Sequence, residues 1–228
     1  MIHADTDIWI PVGDVELGAT VRLPRPSRGV VVFAHGSGSS RHSPRNRMVA
    51  EFLNAGGYGT VLQDLLTAGE DQIDQIATEY RFDIELLAGR LTGTLDWLEA
   101  QPDTTGLPVG VFGASTGAAA ALVAAARRPD SVRAIVSRGG RPDLAGDALR
   151  HVRAPTLLIV GGEDPQVIAL NQQALAVLGE PSQLVIVPGA THLFSEPGTL
   201  ERVADYARTW FDLYLDPSGP VLDGYPSP

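Results

Sequence analysis

Residues Val111 to Ala121 read VFGASTGAAAA: an apolar run, then Gly-Ala-Ser-Thr-Gly, then alanines. The pattern small-x-Ser-x-small sits where a strand passes directly into a helix. Such a turn holds its serine in a strained conformation, so that the hydroxyl projects from the corner. Gly113 and Gly117, two residues before and two after Ser115, let the strand and helix backbones approach each other. The helix N-terminus beneath the serine presents free amides that favour negative charge. A tight corner without chemistry uses the same residues, and short motifs arise by chance. A nucleophile is told apart by its company: a base, an acid and an oxyanion site at matching places along the chain.

Outward from Ser115, strands and helices alternate. Asp7 to Val12 and Glu16 to Leu23 are two strands around Gly13-Asp14 and pair as a hairpin. Gly29 to Ala34 (GVVVFA) is a continuous apolar, β-branched run, the mark of a strand buried on both faces. Pro44 to Asn54 is a helix, with Ser43 as N-cap and Pro44 in its first position. YGTVLQD (58–64) is a further strand. Phe82 to Ala100 is a long helix whose Leu87, Leu91, Leu95 and Leu98 recur at helical spacing. After the strand Val109 to Phe112 and the helix Ser115 to Arg127 come a strand at 132–138 and a short helix around Leu144 to Arg150. A strand at 156–162, a helix from Val167 to Leu178, a strand at 182–188 and a helix from Leu200 to Tyr214 complete the series. This alternation predicts a parallel sheet with helices on both faces. No linker or internal repeat divides residues 1–228, so they are expected to form one domain with a Pro/Gly-rich tail at about 216–228.

The partners of Ser115 fall at the ends of later strands. GGEDPQV places Asp164 just past the strand at 156–162, and PGATHLF places His192 just past the last strand. Open α/β sheets build their sites at these C-terminal strand ends, and the chain order Ser, Asp, His is the one expected when the nucleophile sits on a strand-to-helix elbow. Glu163 is a neighbouring carboxylate, expected to point away on the turn. Asp143 and Asp147, after the preceding strand, are the second choice of acid. Directly after GVVVFA, the loop AHGSGSS (34–40) supplies Gly-rich backbone. Its Ser37 N–H, with the Thr116 N–H, is expected to form an oxyanion hole. His35 and His42 are read as structural, and His3 and His151 as peripheral. No His/carboxylate spacing suggests a metal site.

Taken together, HGSG after the third strand, GASTG, the GGED turn and PGATHLF resemble an α/β-hydrolase, specifically the dienelactone-hydrolase-like branch. The resemblance runs from the hairpin to the last helix. It implies an eight-stranded, mostly parallel sheet with helices on both faces. Members that hydrolyse dienelactone use cysteine as nucleophile. The serine here points instead to general ester hydrolysis through an acyl-enzyme, with His192 taking the Ser115 proton and Asp164 fixing the imidazole. Acyl transfer or perhydrolysis, and lactone hydrolysis, run on the same triad. A non-catalytic receptor on the same fold is the reading from another class. Only a short helix fits between the strands at 132–138 and 156–162, so a minimal lid and an open site are expected.

Composition narrows the rest. The 228 residues carry a net charge of −10, which repels nucleic acid. All 17 basic residues are arginine, excluding lysine Schiff-base chemistry, and the lack of cysteine excludes thiolate catalysis and disulfides. The N-terminus has no basic region followed by an apolar run, and no stretch is long enough to cross a membrane. A cytoplasmic monomer or homodimer acting on a small-molecule ester, without cofactor, is expected. Arg41, Arg138 and Arg141 are the candidate substrate-binding residues, since arginines hold a substrate carboxylate in the family that the chain resembles and the planar guanidinium grips carboxylate bidentately. Arg45 and Arg47 crowd the first turn of a helix, where a cation opposes the macrodipole. Surface ion pairing is the plain alternative for all of them.

Overall fold

The computed structural model describes residues 5–215. Eight strands form one sheet: β1 (Thr6–Val12), β2 (Val15–Arg22), β3 (Val30–Ala34), β4 (Gly59–Gln63), β5 (Val109–Ala114), β6 (Val132–Arg138), β7 (Thr156–Gly161) and β8 (Gln183–Val187), in the order β1-β2-β4-β3-β5-β6-β7-β8. β1 and β2 pair antiparallel across the two-residue turn at Gly13, whose φ of 62° suits glycine. β2 also runs antiparallel to β4, and every later pairing is parallel. The strands expected from their apolar runs are present with small shifts at their ends.

The strand alternation sorts the core into two layers. Val30, Val32 and Ala34 of β3 face one layer, where α3 (Ile84–Ala100) and α4 (Thr116–Arg127) pack; Val31 and Phe33 face the other, against α1 (Pro44–Ala55) and α6 (Thr199–Leu215). Leu87, Leu91, Leu95 and Leu98 of α3 are all buried, as their spacing requires. The alanines of α4 have a different reason. Every residue from Thr116 to Ala125 is buried, because the helix is wedged between the sheet, α3 and the segment after β6. Small side chains are what such close packing admits.

Two regions differ from the expected pattern. The segment Pro142–His151 forms 3₁₀ turns broken at Gly146 rather than one short helix. It packs on α4 and on α5 (Pro165–Leu175) and lies over no part of the cavity described below, in keeping with a minimal lid. Between β4 and α3 a further helix, α2 (Ala68–Ala77), appears that apolar periodicity does not announce. Its Ile73 and Ile76 are exposed, and Asp74 is its one buried residue. It is held instead by polar contacts: Thr67 and Glu70 form a capping box, and Asp74 accepts from the Arg81 Nε at 2.7 Å and from the backbone N–H groups of Tyr80 and Arg81. Burial pushes the Asp74 carboxyl up, yet these donors outweigh it and hold the group below its usual range.

Candidate active site

Ser115 stands at the junction of β5 and α4 with φ 51° and ψ −121°, a region that a residue with a side chain occupies only under constraint. The constraint is visible. The Ser115 N–H donates to the Arg138 carbonyl at 3.2 Å, and the Ser115 carbonyl accepts from Ala118 and Arg141, both at 3.1 Å. A side chain at Gly113 would strike the Ala118 backbone, and one at Gly117 would strike the carbonyls of Ala34 and His35. The glycines on both sides of the serine are therefore demanded by packing. Ser115 occupies the N-cap position of α4 but its hydroxyl does not cap the helix, and no side chain among the described residues hydrogen-bonds to it.

Asp164 and His192 meet across the strand ends. The His192 Nδ1 lies 2.7 Å from the Asp164 Oδ2. With Nδ1–H donating to the carboxylate, Nε2 is left as an acceptor. Asp164 begins α5 yet leaves the helix uncapped, because its carboxylate is turned to the histidine. The turn that carries it is tied to the loop after β8: Gly162 donates to the Val187 carbonyl and Glu163 to the Ala190 carbonyl. Glu163 is exposed, Asp147 is exposed, and Asp143 binds Arg141 through both carboxylate oxygens at 2.7 and 2.8 Å. Of the carboxylates considered, Asp164 alone reaches His192.

Ser115 and His192 line one cavity of about 210 Å³, together with Gly36 and Ser37 of the loop after β3 and the first turn of α1. A larger cavity, about 520 Å³, lies at the opposite end of the sheet by the starts of β5 and β6 and contains no histidine. The Ser37 N–H does not point free into the site: it donates to the Thr116 Oγ1 at 3.0 Å. The Thr116 N–H, in the first turn of α4, has no intrahelical acceptor. His35 is buried, and its Nε2 accepts from the Leu65 N–H at 3.1 Å while Nδ1 contacts the Gly36 carbonyl at 2.9 Å. Burial lowers its pKa and keeps it neutral, so it ties the end of β4 to the loop below Ser115. His42 accepts from Arg47 at 3.0 Å, again a structural contact, and His151 is exposed. His3 and the tail at 216–228 lie outside the described residues.

The structure divides the arginines. Arg41 faces a separate cavity and is tied to Asp64 through its Nη1 and, at 2.8 Å, through its backbone N–H. Arg141 is held by Asp143. Neither lines the cavity of Ser115, which corrects the grouping drawn from the sequence: position along the chain does not say which arginine already has a carboxylate. Arg138 does line it, and so does Arg45, which was placed only by its awkward helix position.

A serine on a strained elbow, a histidine bonded to a carboxylate and strand ends that bring them together are an α/β-hydrolase arrangement. The model of the dienelactone hydrolase family matches residues 17–212, and the chain belongs to that family. A dienelactone hydrolase from Anabaena variabilis is similar in structure, with a TM-score of 0.91 and 57% identity over 93% of this chain and 100% of that one. The esterase domain of a Rhodothermus marinus protein shares the fold at 19% identity and a TM-score of 0.73, over 93% of this chain and 100% of that one. A curated Mycobacterium tuberculosis protein that carries a provisional phosphoribosyl transferase name is 58% identical over 95% of this chain. The match covers 48% of that protein, so the chain spans about half the length of the curated relatives it matches most fully. No helix among the described residues is long and apolar enough to cross a membrane.

Proposed function

We propose that the chain is a serine hydrolase of carboxylic esters with small acyl groups. The observation that carries the reading is the convergence of the strained Ser115 and the Asp164-bonded His192 on one cavity of about 210 Å³. In this reading the Ser115 Oγ attacks the acyl carbonyl carbon as its proton passes to the His192 Nε2. The tetrahedral intermediate collapses, the C–O bond to the alcohol breaks, and His192 returns the proton to the departing oxygen. Water then attacks the acyl-enzyme by the reverse proton route, releasing the acid. Asp164 holds the imidazole in the accepting tautomer and stabilises the imidazolium. The Thr116 N–H is one donor to the oxyanion, and the Ser37 N–H becomes the second by exchanging the Thr116 hydroxyl for the developing charge.

The phosphoribosyl transferase name belongs to proteins about twice as long, and we ascribe it to the part of them that this chain does not match. The test is trapping with a fluorophosphonate, followed by mapping of the modified residue and measurement of nitrophenyl acetate hydrolysis. Modification at Ser115 with parallel loss of turnover is expected. Turnover that survives full modification of Ser115 overturns the reading.

A further inference from the structure

Two arginines in the cavity have charges that no described residue answers. Arg138 ends β6, its carbonyl pinned to the Ser115 N–H, and the residue is 7% exposed. No hydrogen bond or ion pair joins its guanidinium to any described residue, and its buried Nε has no acceptor. Its guanidinium carbon lies over the Phe194 ring, 5.9 Å from the ring centre. Arg45 repeats the pattern from α1: its buried Nε is also without an acceptor, and it too forms no ion pair among the described residues. The buried Asn46 Oδ1 beside it is likewise unpartnered.

These features conflict with ordinary packing. A buried charge without a partner opposes folding, and a methionine would fill the space without that cost. Arg45 also worsens the position of Arg138, since burial and the Arg45 charge together pull the Arg138 pKa down to about 10. Arg45 stands in the first turn of α1, where a cation opposes the helix dipole. An anion in the cavity answers both guanidinium charges and the opposed helix dipole, though not the Asn46 Oδ1, which is itself an acceptor. The charge count indicates what kind of anion. No Asp or Glu lines the cavity, while two arginines do. With the Asp164 carboxylate taken up by His192, a phosphate dianion has oxygens enough to serve both guanidinium forks, where a single carboxylate serves one.

We propose that Arg45 and Arg138 are a specificity pair that holds a phosphate monoester group carried by the ester substrate, beside the Ser115 hydroxyl. The planar forks of two arginines match phosphate oxygens, and the Ser39 and Ser43 residues on the same wall bring hydroxyls to the site. The proposal rests on the reading of Ser115 as the nucleophile.

The experiment uses the full chain and has two arms. In the first, calorimetric titration with inorganic phosphate and with acetate should give at least tenfold tighter binding of phosphate. That binding should fall at least tenfold in Arg45→Gln and in Arg138→Gln, and stay within twofold in Arg41→Gln and Arg141→Gln. In the second, kcat/KM is compared for acetyl glycerol phosphate and glycerol monoacetate. The phosphorylated ester should be favoured at least tenfold in wild type, and the preference should disappear in Arg45→Gln. Acetate binding as tightly as phosphate, phosphate binding unaffected by both arginine changes, or equal rates on the two esters would each overturn the proposal. Should Arg138→Gln fail to fold, Arg45→Gln and the wild-type comparisons still decide. Ser115→Ala separates the two readings. Lost hydrolysis with retained phosphate binding supports both, whereas retained hydrolysis overturns the nucleophile and the substrate assignment that rests on it.

Discussion

Arg41 and Arg141 stand close in sequence to the loops around Ser115, as Arg45 and Arg138 do, yet the two pairs lead opposite lives. Arg41 is bound to Asp64 and Arg141 to Asp143, each through at least two contacts. Arg45 and Arg138 face the cavity of Ser115 with no counter-charge among the described residues. Arg41 fastens the loop after β3 to the end of β4, and Arg141 braces its own segment after β6, which is structural work. In the second pair, the half-buried Arg45 and the buried Arg138 carry charge that no described residue neutralises, and the burial of Arg138 comes at the expense of stability. A site of this kind is recognised by what its residues lack, since local strain is retained where the surrounding fold over-determines it and function uses it.

The largest expected effects fix the cavity to which the unpaired arginines belong. Ser115→Ala and His192→Ala should each lower kcat on nitrophenyl acetate by ~10³-fold or more with the melting temperature little changed. Asp164→Asn should also be severe, on the order of 10³-fold, because the amide favours the wrong tautomer of His192. Asp143→Asn, which touches Arg141 rather than His192, should change kcat by no more than about threefold, the scale of a peripheral contact. Steady-state kinetics of the four variants checks both statements. A large loss in Asp143→Asn with a small one in Asp164→Asn would break the division drawn here.

Next in size is the anchoring pair. Asp64→Ala leaves Arg41, about one-fifth exposed, without its partner. The expected loss is ~1–3 kcal/mol, or a fall in melting temperature of roughly 2–10 °C for a chain of this size. Phosphate affinity should not move. Thermal denaturation read beside the titration would expose an error if stability held and affinity fell.

The smallest effect has the opposite sign. Arg138→Met removes an uncompensated buried charge and keeps much of the side-chain volume, so the melting temperature should stay level or rise by a few degrees, within ~1 kcal/mol. The pH dependence follows. The folded-state pKa of Arg138, about 10, lies well below the ordinary range of a guanidinium, because burial disfavours its charge. From about pH 10 upward the folded protein releases this proton while the unfolded chain still holds it, so this residue's contribution to stability rises with pH. The stability gap between Arg138→Met and wild type should therefore be widest below about pH 9 and close as the pH passes 10. Denaturant melts at pH 7 and 10.5 measure it; a gap that widens would show that Arg138 is paired after all.

Much of this protein was legible along the chain. The apolar runs of β3 and β7, the leucine spacing of α3 and the Gly-Ala-Ser-Thr-Gly corner are local patterns, because strand burial, helical periodicity and backbone clearance act between near neighbours. α2 escaped for a matching reason. Its stability comes from a capping box and from the Asp74–Arg81 contacts, and its Ile73 and Ile76, one turn apart, face outward, so the apolar spacing it carries marks no buried face. The T-x-x-E of Thr67 and Glu70 was the available signal.

By itself the sequence determined the sheet, the elbow and the chain order of Ser115, Asp164 and His192, since these follow from residue type and spacing. Only the tertiary structure decided that Asp164 rather than Asp143 meets His192, that the Ser37 amide is engaged by Thr116, and that Arg41 and Arg141 are answered while Arg45 and Arg138 are not. Charge pairing depends on distances of a few ångströms between residues far apart in the chain. An arginine looks the same in a sequence whether or not a carboxylate waits beside it in space.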